Sequence, residues 1–239
     1  MIKQLKHTLK HTWLFPRYIG LVHMLPALEQ ARTYVSGTML DIGCGRRQYQ
    51  PIFEQKVDRY IGVDWPVSLE HATPDTVADA LHLPLPHSIA DTVLATELME
   101  HLPEPHLFLA EVARVLKPGG IFILSVPFLE PLHEEPRDFF RFTPYSLRIL
   151  LEQHGFTVEQ IWRRGGWGSV VIGSLVSKAL YDWANPADAA GVRRNLGVRV
   201  VLTLPLCALI QFVGYSLDRF VSTSKYTLGY VVVARQTTN

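Results

Sequence analysis

The sequence runs to 239 residues, with 23 lysines and arginines against 22 acids and a formal net charge of +1. That length suits one large α/β domain with an elaboration rather than two independent domains, and the near-neutral balance excludes a broad polyanion-binding face, so nucleic acid is not an expected partner. Two cysteines in unrelated contexts, Cys44 and Cys207, exclude a disulfide framework and a cysteine zinc site and point to a reducing, cytoplasmic setting.

Residues 2–35 read as helical, with Ile2, Leu5, Leu9 and Trp13 near helical spacing and Pro16 and Pro26 as interruptions. Lacking an apolar core and a small-residue cleavage site, this arm does not read as a secretory signal. It suits a basic amphipathic arm and, equally, a lid helix packed on the domain with its lysines in solvent. From Thr38 short apolar runs alternate with helical stretches, the pattern of βαβ units and a parallel sheet.

Strands are expected near 39–43, 60–64, 75–79, 91–96 and 120–126, with helices at about 46–56 and 104–116. The second helix stops at Lys117-Pro118-Gly119-Gly120. Thr143 as N-cap and Pro144 in the first turn predict a further helix to Gly155. Residues 156–162 and 228–235 read as the last two strands. The domains expected are a helical arm over 1–37, an α/β core over 38–164, an apolar helical insertion over 165–226 and a final core strand over 227–239.

Met39-Leu40-Asp41-Ile42-Gly43-Cys44-Gly45 reads as a strand running into a glycine-rich turn. Glycines there let backbone approach a ligand closely, and amides at a helix N-terminus favour polar or anionic groups. The dinucleotide fingerprint wants a third glycine, but Gln48 stands at that place, with Arg46 and Arg47 before it. Asp41 suits a ligand ammonium and would repel a pyrophosphate, so a nicotinamide dinucleotide is disfavoured. Asp64 ends the second strand about 20 residues on, the spacing for bidentate contact with ribose hydroxyls, though acids at strand ends are common. Trp65 offers an apolar face for an adenine. Asp79, at the end of the third strand, suits the adenine amino group and, alternatively, a local helix cap over 80–83.

Together the stretches LDIGCG, IGVDW, DALHLPLPHSIADTVLATELMEHL and EVARVLKPGGIFILSVP resemble the class I S-adenosylmethionine-dependent methyltransferases. The resemblance implies a Rossmann-like seven-stranded sheet with helices on both faces and an antiparallel last strand. It also implies S-adenosylmethionine as cofactor, with Asp41, Gly43, Cys44 and Gly45 around its methionine part, Asp64 and Trp65 at the ribose and adenine, and Asp79, Ala80 and Leu81 framing the adenine. Thr96 and Glu97 are expected near the sulfonium.

Residues 127–143 follow the fifth strand, at the carboxyl edge where open α/β sheets bind ligands, and resemble a loop of many small-molecule and sugar-related members of that family. His133 is the expected general base, because imidazole titrates near neutrality. Asp138 and Arg141 are expected to bind the acceptor or, alternatively, to pair and hold the loop. His101 reads as structural or as pocket wall. No metal is expected, because His133, Glu134 and Glu135 are adjacent rather than at ligand spacing.

Val200 to Leu217 carries no charge over 18 positions, preceded by Arg193, Arg194 and Arg199. A single membrane crossing would put the last strand on the wrong side of its own sheet. A helical pair at a membrane surface, formed with Gly168 to Leu180, fits better; burial against the domain or in a homodimer is the alternative. The expected activity is therefore methyl transfer to a small or lipid-linked acceptor, at an oxygen atom, with a peripheral site on the cytoplasmic membrane face. A non-catalytic, membrane-associated assembly factor that retains a nucleotide pocket is the rival reading.

Overall fold

The computed structural model describes residues 12–15, 18–65, 74–186, 198–221 and 225–237. Of the helical stretch expected over residues 2–35, residues 2–11, 16 and 17 lie outside them. Helix α1 spans Tyr18–Ala31 and includes Pro26. Seven strands follow: β1 (Thr38–Ile42), β2 (Arg59–Asp64), β3 (Thr76–Val77), β4 (Ala90–Thr96), β5 (Leu116–Pro127), β6 (Phe156–Arg164) and β7 (Gly229–Gln236). They form one sheet in the order β3-β2-β1-β4-β5-β7-β6, and β1 to β5 pair in parallel. The Leu228 amide donates to the Arg164 carbonyl and the Thr237 amide to the Gly155 carbonyl, so β7 runs antiparallel to β6. This is the expected α/β fold with its reversed last strand.

Strands β1 and β4 are central and buried on both faces, which is why they read as continuous apolar runs. Their side chains meet Phe108, Leu109, Val112 and Val115 of helix α3 (Pro105–Val115) and Leu147 and Leu151 of helix α4 (Pro144–Gln153) in the main core. Thr143 caps α4 as expected: its hydroxyl accepts from the Ser146 amide at 3.1 Å, and the Thr143 amide donates to the Ser146 hydroxyl at 3.0 Å.

Three elements depart from expectation. Helix α2 spans only Gln50–Phe53, and it starts later than expected because Arg47 takes a left-handed angle that no helix admits. Strand β3 is only Thr76–Val77, since Asp75 turns back to the Gly62 amide and Asp79 opens a turn. The turn expected at 117–120 lies inside β5: Ala90 pairs with Leu116 and Thr92 with Ile121, so these residues bulge from the ladder, with Gly119 at φ +76°.

The chain forms two compact units. One holds residues 26–128, 132–162 and 230–239; the other holds 1–25, 129–131 and 163–229. In the second unit a π-helical segment, Gly168–Val176, continues into α5 (Ser177–Ala184) and packs antiparallel on α6 (Val198–Leu217). The Asp218 carboxylate accepts from the Gly166 and Ser169 amides and so caps the segment's start. Fully buried Gln211 accepts from the Ile19 amide and donates to the Trp13 and Phe15 carbonyls, which ties these three residues to α6.

Where the two helical runs cross, a Cβ on Gly214 would stand 2.5 Å from the Gly168 carbonyl oxygen and the Gly173 nitrogen. Both are backbone atoms and cannot step aside. Gly214→Ala is therefore expected to destabilise this unit by about 1–3 kcal/mol, seen as a lower melting temperature; an unchanged melt would show that the helices can part without loss.

Candidate active site

The turn after β1 is shaped by its backbone. Gly43 and Gly45 sit at φ +74° and +50°, and the Gly43 and Cys44 amides both donate to the Val63 carbonyl, at 2.8 and 3.1 Å. Turn and β2 terminus are thus held side by side. Asp64, at the end of β2, accepts from the Gly45 amide through Oδ2 and from the Trp65 amide through Oδ1, both at 2.7 Å. Each carboxylate oxygen has two lone pairs, so this fixed orientation is compatible with bidentate acceptance from ribose hydroxyls.

Asp41 lies behind the turn, 2 % exposed. Its Oδ2 accepts from the Tyr60 hydroxyl at 2.6 Å, while Oδ1 has no hydrogen-bond partner among the described residues. Burial outweighs that hydrogen bond and pushes the carboxyl up to about 7. A buried acceptor oxygen without a donor, beside a glycine turn, fits the ammonium group of the cofactor implied by the sequence. On the other wall, the Leu98 methyls stand 3.1 and 3.2 Å from where a Gly43 Cβ would be, so a side chain there would fill the cradle. Cys44 is buried and its thiol pushed up to about 12, first by desolvation and then by Asp41 and Asp64, so it lines the turn as an inert group.

Thr96 ends β4, and Glu97 follows in a left-handed conformation (φ +50°), fixed by its amide and carboxylate on the Ser125 hydroxyl at 3.1 and 3.0 Å. Asp79 is half exposed; its Oδ1 accepts from the Leu81 amide at 2.9 Å, so the local-turn role holds for that oxygen, with Ala80 buried beside it. Trp65 is 41 % exposed, and the Arg137 guanidinium lies 4.3 Å from its ring centroid. That contact brings the loop after β5 to the end of β2.

Within that loop Arg141 grips Asp138 through two bonds, Nη1 to Oδ1 at 2.5 Å and Nη2 to Oδ2 at 2.7 Å. The pairing alternative is what the fold adopts, and the guanidinium holds the buried Asp138 carboxyl well below the usual range. Asp138 in turn accepts from the His133 amide at 2.9 Å and lies 3.3 Å from His133 Nδ1. The ring's other nitrogen faces inward, 4.0 Å from Oε1 of fully buried Glu100. His101 meets the same oxygen at 3.7 Å. The sequence reading leaves Glu100 out of the site and has His101 as structural or pocket wall; the sequence carries no local signal that joins residues 100–101 to residue 133.

Residues 40–124 match a family model described as a methyltransferase domain. A probable S-adenosylmethionine-dependent methyltransferase of Mycolicibacterium smegmatis is 30 % identical over 188 residues, 66 % of this chain and 72 % of that protein. A ubiquinone biosynthesis O-methyltransferase of Rhodopseudomonas palustris is 34 % identical over 98 residues, 36 % of this chain and 38 % of that one. Several other curated relatives are matched over less than half of their own length. Among solved structures the [4+2]-cyclase SpnF superposes with a TM-score of 0.57 at 20 % identity, covering 91 % of this chain and 81 % of that one. That likeness shows the fold alone.

With its pKa raised to about 7 without ligand, Asp41 is mostly protonated below that pH. An ammonium group binds the ionised form, so binding releases a proton. Cofactor affinity is then expected to rise from about pH 5.5 and to level off near 7.5, by at most about tenfold per unit. Asp41→Asn should abolish the slope. Calorimetry over this range decides it, and a slope retained in the Asn variant would remove Asp41 from the site.

Proposed function

Because the chain belongs to the class I S-adenosylmethionine-dependent methyltransferases, we propose that it methylates an oxygen atom of a small or lipid-linked acceptor held against the loop after β5. The observation that carries this reading is the Arg137–Trp65 contact, which sets the His133 loop beside the cofactor cradle. When bound, S-adenosylmethionine supplies a sulfonium methyl for direct displacement by the acceptor atom. Asp41 holds the ammonium end, Asp64 the ribose, and the turn at 43–45 excludes water from between them. Methyl transfer of this kind depends mainly on alignment of the two reactants. His133, set by Asp138, activates the acceptor hydroxyl. An O-methyltransferase among the relatives supports oxygen as the target.

His133→Ala is accordingly expected to lower turnover by about 100-fold or more and to leave cofactor affinity within about twofold, because no contact to the cradle is lost. The assay follows S-adenosylhomocysteine formed with a lipid extract. Full activity of the variant would sink the acceptor assignment.

The lipid-linked part of the reading rests on α6, an apolar 20-residue helix of mean hydropathy 1.9 with 22 % of its apolar window buried. Val198, Val201, Leu202, Leu209 and Phe212 are exposed. Near the ends of the stretch Arg163–Gly229 of this unit, the Leu228 amide donates to the Arg164 carbonyl. A single crossing would separate them, which supports helices lying along a membrane surface, on its cytoplasmic face. The protein is expected to sediment with anionic liposomes, and Leu202→Asp with Leu209→Asp to release it. A parent that ignores liposomes and dimerises through these residues would replace the membrane by a second copy.

A further inference from the structure

We infer that Glu100, His101 and His133 form a binding site for one divalent transition-metal ion on the acceptor side of the active site. The inference rests on the reading that the acceptor is held at this loop, and it specifies how His133 activates it.

The three side chains each turn one ligand atom inward, and these atoms all lie within 4.8 Å of one another. Glu100 Oε1 is 3.7 Å from His101 Nε2 and 4.0 Å from His133 Nε2. Metal–nitrogen and metal–oxygen bonds of about 2.0–2.2 Å at octahedral to tetrahedral angles space neighbouring donors roughly 2.8–3.6 Å apart. The two edges from Glu100 are slightly longer than that and longer than a direct hydrogen bond, so the side chains draw in to hold one ion.

The outer nitrogens fix which atoms face inward. His101 Nδ1 lies 2.5 Å from the Arg137 carbonyl oxygen, which can only accept, so Nδ1 carries a hydrogen and Nε2 is the nitrogen that faces the Glu100 carboxylate. His133 Nδ1 lies 3.3 Å from Asp138 Oδ2 and 3.5 Å from the Arg141 guanidinium, and its Nε2 faces the same carboxylate. Imidazoles that give their outer N–H to a carbonyl or a carboxylate are the usual support of metal-ligating histidines. Two imidazoles and one carboxylate suit first-row ions such as Zn2+, Mn2+ or Fe2+ rather than Ca2+. The rings stand edge to face with centroids 4.9 Å apart, and the Phe139 amide donates to the Glu100 carbonyl at 2.9 Å, so loop and ligand set are fastened together.

An ion here polarises the acceptor's hydroxyl. The hydroxyl proton passes to solvent water, the oxygen's electron pair forms the new O–C bond, and the C–S pair stays with sulfur as a thioether.

The test uses the full-length, tag-free chain stripped with a chelator and titrated with Co2+ alone, whose visible ligand-field bands report nitrogen and oxygen ligands. We expect one Co2+ per chain, bands lost in His101→Ala and in His133→Ala, and affinity weakened about 10- to 100-fold in Asp138→Asn, all in variants that melt cooperatively. Glu100→Gln is a secondary test, because a buried ligand can be needed for folding. Absent bands, or bands unchanged by both histidine variants, overturn the inference. So does a stripped enzyme that keeps full methyl transfer while His133→Ala loses it; the imidazole then acts by itself and the proposed function stands. Expected binding without methyl transfer to any acceptor would uphold the cation site and reject the function.

Discussion

The cradle depends on one carbonyl. Val63 O receives both the Gly43 and the Cys44 amides, and two successive N–H groups reach one acceptor only because the chain turns left-handed at Gly43 and again at Gly45. This double bond seals the end of β1 to the end of β2. It places the Gly45 amide on Asp64 and leaves Asp41 sealed behind the turn. The close approach needs Gly62 as well: a Cβ there would stand 2.9 Å from Cys44 Sγ and 3.0 Å from Arg47 Nε.

The acceptor side hangs on a second buried carboxylate. Asp138 takes two bonds from Arg141 and one from the His133 amide, so a single side chain fixes both the loop's backbone and the imidazole's orientation. Its depressed pKa keeps it ionised throughout the neutral range, and the arrangement does not come apart where the protein works. Arg141, read from sequence as meeting the acceptor or as pairing with Asp138, makes the pair and braces His133.

What was legible in the sequence follows from how local each signal is. Strands β1, β4 and β5 are buried on both faces and declared themselves as apolar runs; the α4 cap needs only Thr143, Pro144 and Ser146. Asp41 and Asp64 were legible because strand ends at fixed spacing bring acids to one edge. The length of α2 was not, because Arg47 takes φ +53°, an angle that nothing about an arginine announces. Nor was the Glu100–His101–His133 cluster, whose members come from the stretch after β4 and the loop after β5. Only the parallel pairing of those strands brings the two together.

The arginines after the glycine turn explain why this cradle suits a cationic ligand. An exposed guanidinium beside the turn would welcome a pyrophosphate and repel a sulfonium. Arg47 is instead turned onto Asp75, 2.8 Å from its Oδ2, and the same carboxylate accepts from the Gly62 amide. The Arg47 charge is thereby neutralised on Asp75, while the Asp41 and Asp64 carboxylates stay beside the turn. Burial makes ionising Asp41 costly in the ligand-free protein, and an ammonium is the charge that offsets this cost. The selection against phosphates and the selection for a cationic cofactor are thus one electrostatic arrangement, and it depends on Asp75 as much as on Asp41.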